Sequence, residues 1–79
     1  MSNEEKYVQA FVNAFGISED AAKKLEFQAI EEWDSVGHMS LIAEIEEAFD
    51  IMMETEDIID LSSYEKGKEI LSANYGVTF

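Results

Sequence analysis

The chain is 79 residues long, with 18 acidic side chains against 5 basic ones, a net charge of −13 and no cysteine. That length holds one domain with a small core, and the charge repels nucleic-acid phosphates and anionic lipid while attracting basic partners and cations. Without cysteine there are no disulfides, zinc–thiolate sites or cysteine nucleophiles, and a single histidine, His38, excludes multi-histidine metal sites.

Proline is absent, so helix ends must be read from glycines and caps. Tyr7, Val8, Phe11, Val12 and Phe15 recur at helical spacing and predict a first helix over about 3–15. Gly16 ends it, and Ile17 stands where a Schellman motif puts its hydrophobic contact. Residues 17–34 have no sustained period and read as a long, partly ordered loop. Ser18-Glu19-Asp20 could cap a short helical turn within it.

The clearest helix spans 35–49, with Asp34 and Ser35 both suited to the N-cap. At about 100° per residue, Leu41, Ile42, Ile45, Ala48 and Phe49 gather on one face, with His38 among them. Val36, Met39 and Ala43 gather on a second face, bordered by Ser40, Glu46 and Glu47. A helix in a minimal domain needs one buried stripe, so the second asks for an explanation. Its alternative is that Val36 and Met39 pack beneath the 17–34 loop.

Thr55-Glu56-Asp57 starts a short element ending near Asp60. Ser62-Ser63-Tyr64-Glu65 matches a capping box with Ser62 at the N-cap and Glu65 at N3. Tyr64, Gly67, Ile70 and Leu71 give the last helix its buried side, and Gly76 is its end signal. No segment alternates like a strand. The expected fold is all-α: a small four-helix bundle of three main helices and one short helix, filling a single domain over 1–79.

Charge is concentrated. Eleven acids and no lysine or arginine lie between Glu31 and Asp60. An acidic surface beside an apolar stripe suits a basic protein partner. His38 reads as a core-edge histidine without an acid–base partner, Trp33 as a loop anchor, and Met52 and Met53 as core. Nothing pairs a nucleophile with a base, so no enzyme is expected.

From Trp33 to Asp50 the sequence runs Trp-Asp-Ser-Val-Gly-His-Met-Ser-Leu-Ile-Ala-Glu-Ile-Glu-Glu-Ala-Phe-Asp. This resembles the signature of the acyl carrier protein family: Asp-Ser-Leu or a close variant, then an amphipathic acidic helix ending Glu-Glu-x-Phe. The likeness is close over about 35–71 and loose over the whole chain, including its acyl-carrier-protein-like helix pattern. It implies that Ser35, beside Asp34, accepts 4′-phosphopantetheine from a separate phosphopantetheinyl transferase, and that the thiol of that arm holds acyl groups as thioesters. It implies that Val36, Met39, Ala43, Glu46 and Glu47 face acyl-loading and acyl-using enzymes with basic surfaces. It also implies that the stretch around Met52 and Met53 helps line an acyl cavity.

Gly37 and Ser40 stand where fatty-acid carriers commonly have acids, and no proline precedes the short helix. These departures resemble stand-alone carriers of polysaccharide, lipid or secondary-metabolite pathways more than housekeeping fatty-acid carriers. Gly37 costs a helix about 1 kcal/mol relative to alanine, and close approach by a partner or by the arm would favour it. The expectation is a discrete, monomeric, cytoplasmic carrier, because the chain starts at Met1 without a secretory leader and has no apolar run near the roughly 20 residues of a membrane span. The different-class alternative is an acidic interaction module or nucleic-acid mimic without a prosthetic group; a same-class rival is a peptidyl or aminoacyl carrier.

Overall fold

A computed structural model describes residues 2–79. Five helices occur in chain order among them: α1 (Asn3–Phe15), α2 (Glu19–Ala22), α3 (Ser35–Phe49), α4 (Thr55–Asp60) and α5 (Tyr64–Asn74). There is no strand among these residues, only an isolated antiparallel bridge between Glu26 and Ser63. The radius of gyration is 11.1 Å, close to the roughly 12 Å of a compact chain this long.

α1 begins with a capping box that the sequence reading passed over. The Ser2 hydroxyl accepts from the Glu5 N–H at 3.1 Å, and Glu5 Oε1 accepts from the Ser2 N–H at 3.2 Å. It ends as expected at Gly16, whose φ of 66° is left-handed. The Gly16 N–H reaches the Val12 carbonyl at 2.8 Å, the single bond of an αL cap rather than a Schellman motif. Ile17 nevertheless packs on the core.

The apolar stripe of α1 buries Tyr7, Val8, Phe11 and Phe15 against Leu41, Ile42 and Ile45 of α3 and Tyr64, Ile70 and Leu71 of α5. Aromatic edges mesh at its centre: Tyr7 on Phe11 at 5.1 Å and Phe11 on Trp33 at 5.5 Å, both near perpendicular. The Tyr7 hydroxyl donates to the Tyr64 carbonyl at 2.7 Å, so burying it leaves no orphan polar atom. Burial pushes that phenol well above its ordinary pKa, and the neighbouring Tyr64 adds to the shift.

Residues 17–34 are more structured than a partly ordered loop. Ser18 caps α2 by accepting from the Ala21 N–H at 3.2 Å, and Ala22, Leu25 and Trp33 are buried. The Phe27 N–H donates to the Ser62 carbonyl and the Tyr64 N–H to the Leu25 carbonyl, stitching the segment to the start of α5. That stitching corrects the expected capping box. Ser63, not Ser62, is the N-cap of α5, accepting from the Lys66 N–H at 3.0 Å. With Lys66 at N3, Glu65 has no box to complete.

Two glycines are there because a neighbour occupies their side-chain space. A Cβ on Gly37 would lie 1.8 Å from the Glu32 carbonyl oxygen, and one on Gly67 would lie 2.0 Å from the Tyr7 hydroxyl. The close approach expected at Gly37 therefore comes from the chain's own preceding loop.

Candidate functional site

The start of α3 is set by Asp34, whose Oδ1 accepts from the Gly37 N–H at 2.8 Å. Asp34 is thus the N-cap, and Ser35 is the first helical residue, exposed to solvent. The amides of Ser35 and Val36 belong to the first turn, where the helix offers them no acceptor of its own. The Ser35 hydroxyl, two such amides and the positive end of the helix dipole come together here.

Beside Ser35 a cleft of about 480 Å³ opens. Met39 and His38 of α3 form one wall, Ile58 and Ile59 of α4 the other, and Phe27, Leu61 and Ser62 complete it. Its lining is mainly apolar, as in sites that take small apolar groups. The sequence reading missed this contribution of Phe27, Ile58, Ile59 and Leu61. The only local signal for it was the isoleucine pair in an element too short to bury both.

The second face of α3 is free. Val36 is 78% exposed and Met39 53%, and Ala43 is exposed as well. The 17–34 loop does not cover them. Glu47 is exposed, whereas Glu46 is half-buried and turned inward: its Oε2 accepts from the Met53 N–H at 2.9 Å. The five residues assigned to a partner face are therefore four surface groups and one that also holds the chain after α3. Met52 and Met53 separate too. Met53 is buried, but Met52 is 87% exposed, contrary to the expectation that both are core, and neither lines the cleft.

His38 has two partners. Its Nδ1 lies 2.9 Å from Trp33 Nε1 and its Nε2 lies 2.6 Å from the Ile58 carbonyl oxygen. An indole nitrogen only donates and a carbonyl only accepts. Nδ1 therefore carries the lone pair and Nε2 the proton. With both nitrogens engaged, the ring has none left to take a proton from Ser35. Trp33 is fully buried, the loop anchor the sequence predicted.

The acidic stretch holds a second cleft of about 460 Å³, lined by Glu54, Thr55, Glu56, Asp57 and Asn74. Asp57 is already engaged there, accepting from Asn74 Nδ2 at 3.0 Å and from the Tyr75 hydroxyl at 2.7 Å. Among the described residues no three His, Asp or Glu side chains converge to hold a metal ion. Nor is any helix among them long and apolar enough to cross a membrane.

No protein-family model matches the chain, and no curated protein or solved structure matches it either.

Proposed function

We propose that the protein is an acyl carrier protein: a four-helix carrier, with α2 as an added turn, that bears 4′-phosphopantetheine on Ser35 and catalyses nothing alone. The observation that carries this reading is the exposed Ser35 hydroxyl at the first position of α3, on the edge of an apolar cleft. The fit to the group is chemical. A phosphodiester on Ser35 would meet the free first-turn amides and the helix dipole, which favour an anion. The Asp34 carboxylate, held in its cap on Gly37, stays with its protein partner.

When bound, the group supplies the thiol that this cysteine-free chain lacks, and with it the means to hold acyl groups as thioesters. The cleft residues Met39, Ile58, Ile59 and Leu61 would shelter the first carbons of an acyl chain from water. The transferase would activate Ser35, so the engagement of both His38 nitrogens is no obstacle. Val36, Met39, Ala43 and Glu47 would meet the transferase and the acyl-handling enzymes. Their basic surfaces would be steered by the acids and held weakly enough to release. The reading places the protein in the cytoplasm, serving a lipid, polysaccharide or secondary-metabolite pathway.

The test is the intact mass of protein co-expressed with a promiscuous phosphopantetheinyl transferase. The wild-type chain should gain one phosphopantetheine, Ser62→Ala should gain it equally, and Ser35→Ala should gain none. Unmodified wild-type protein, or modification that persists in Ser35→Ala, refutes the carrier reading as stated. An acidic interaction module without a prosthetic group would then take its place.

A further inference from the structure

α4 is the least buried helix of the fold: none of its six residues is buried, and its N-cap, Glu54, makes no side-chain cap bond. Yet Ile58 and Ile59 form one wall of the cleft beside Ser35. The Ile58 side chain packs on the core, and side-chain hydrogen bonds hold α4 to the rest of the chain on two sides. On one, Asp57 bonds Asn74 and Tyr75 at the end of α5. On the other, facing the cleft, the Ile58 carbonyl accepts from His38.

The His38 ring is itself fixed by aromatic neighbours. It lies nearly parallel to the Trp33 indole, at 13° and 6.1 Å between centroids, and the Phe27 ring meets it edge-on at 5.6 Å. Trp33 cannot retreat, because it is wholly buried. The arrangement works for one protonation state only. A second proton would sit on Nδ1, where the Trp33 Nε1–H already points. Two donors would then face each other at 2.9 Å, and the ring must swing away.

The acids on the elements packed around the ring are Asp34 at the N-cap of α3, Glu44, Glu46 and Glu47 within α3, Glu26, Glu31 and Glu32 in the loop, and Glu56, Asp57 and Asp60 on α4. None hydrogen-bonds to His38 in the neutral arrangement, and all would attract an imidazolium that had left the indole.

We propose that His38 is a proton-sensitive latch on this cleft: neutral, it pins α4 to Trp33 through the Ile58 carbonyl; protonated, it releases α4 and opens the apolar wall. The consequence for cargo rests on the carrier reading: an acyl chain would be held while the ring is neutral and exposed once the ring is protonated. The latch itself needs no prosthetic group.

The unmodified protein, labelled with ¹⁵N and ¹³C, provides the test in a pH series. At neutral pH the imidazole nitrogens should report the Nε2–H tautomer. On acidification the Trp33 indole N–H resonance and the Cα and carbonyl shifts of residues 55–60 should change with the same midpoint as the ring. The α4 shifts should move toward unstructured values while those of α5 stay in place. His38→Gln, which can still accept and donate but does not titrate, should keep α4 helical across the same range.

An Nδ1–H tautomer in neutral solution overturns the proposal. So do α4 shifts that stay fixed while the ring titrates, or an acid response of α4 that survives in His38→Gln. If the glutamine variant does not fold, the wild-type tautomer and the coincidence of midpoints decide alone. A failed latch leaves modification of Ser35 to its own mass measurement.

Discussion

Replacing Gly37 by alanine sets helix propensity against packing. Propensity alone favours alanine by about 1 kcal/mol in a helix interior. Against this, the new Cβ would lie 1.8 Å from the Glu32 carbonyl oxygen, 3.0 Å from the Glu32 carbonyl carbon and 3.3 Å from Phe15 Cε1. Real Cβ contacts do not fall below 3.0 Å, so the carbonyl must move by at least 3.0 − 1.8 = 1.2 Å. It has little room to do so. The next residue, Trp33, is fully buried, its N–H donates to the Ile30 carbonyl, its own carbonyl accepts from Gln28, and its indole is tied to His38.

Overpacking against ordinary side chains costs about 1–3 kcal/mol, and a pinned backbone carbonyl belongs at the upper end. The expected net loss is about 2 kcal/mol. For a domain of this size that lowers the melting temperature by about 8–16 °C. Thermal and urea denaturation followed by far-ultraviolet circular dichroism would measure it. A Gly37→Ala protein that melts at or above the parent temperature refutes the close-approach explanation and returns Gly37 to the unexplained.

Glu4 accepts from Lys68 Nζ at 2.5 Å and from the Tyr64 hydroxyl; the Lys68 bond first and the Tyr64 bond second hold its carboxyl below the ordinary carboxylate range. A depressed folded-state pKa means stability that is present above the unfolded value and lost as pH falls through the folded one. Glu4→Gln should therefore melt lower than wild type at neutral pH, with a difference that closes in acid. The carboxylate is more than one-third exposed, so the effect should be no more than about 1 kcal/mol; a gap that is unchanged in acid refutes the linkage. On α3, Met39→Ala and Glu47→Lys should leave the melting temperature nearly unchanged and slow modification by the transferase. Glu46→Ala should cost about 1 kcal/mol by stranding the Met53 N–H, and equal melts for Glu46→Ala and Glu47→Lys refute the division of roles along that edge.

Helix content was legible because it is local. The stripe from Tyr7 to Phe15, the stop at Gly16, the cap before α3 and the short element at 55–60 each rest on residues within a few positions of one another. Long-range pairing was not legible. The 17–34 segment has no period because its order comes from Phe27 bonding to Ser62, Tyr64 to Leu25, and Trp33 lying in the core. The same pairing moved the α5 cap. Ser62-x-x-Glu65 satisfies the capping pattern, but the Ser62 carbonyl is bound to the Phe27 amide and the helix starts one residue later. Met52 and Met53 were indistinguishable for the same kind of reason: the turn after α3, held by Glu46, decides which of the two points inward.

The partner-facing role proposed for α3 gains from what the helix does not bury. Its inward residues Leu41, Ile42 and Ile45 already fill the space against α1, so Val36 and Met39 add nothing to the core. Burying either side chain fully from water would contribute about 1.5–3 kcal/mol; folding leaves most of that unused at Val36, 78% exposed, and about half of it at Met39, 53% exposed. Both lie within a few residues of Ser35, in a window with eleven acids and no lysine or arginine. A partner that covered them would gain apolar contact next to the hydroxyl it must reach, and its lysines and arginines would meet an acidic stretch of chain that includes the exposed Glu47 on the same helix. Charges at such a rim act mainly on the rate of encounter, while a small apolar patch sets a short residence time. Fast arrival and fast departure are what a shuttle serving several enzymes requires, and a tighter interface would oppose that use.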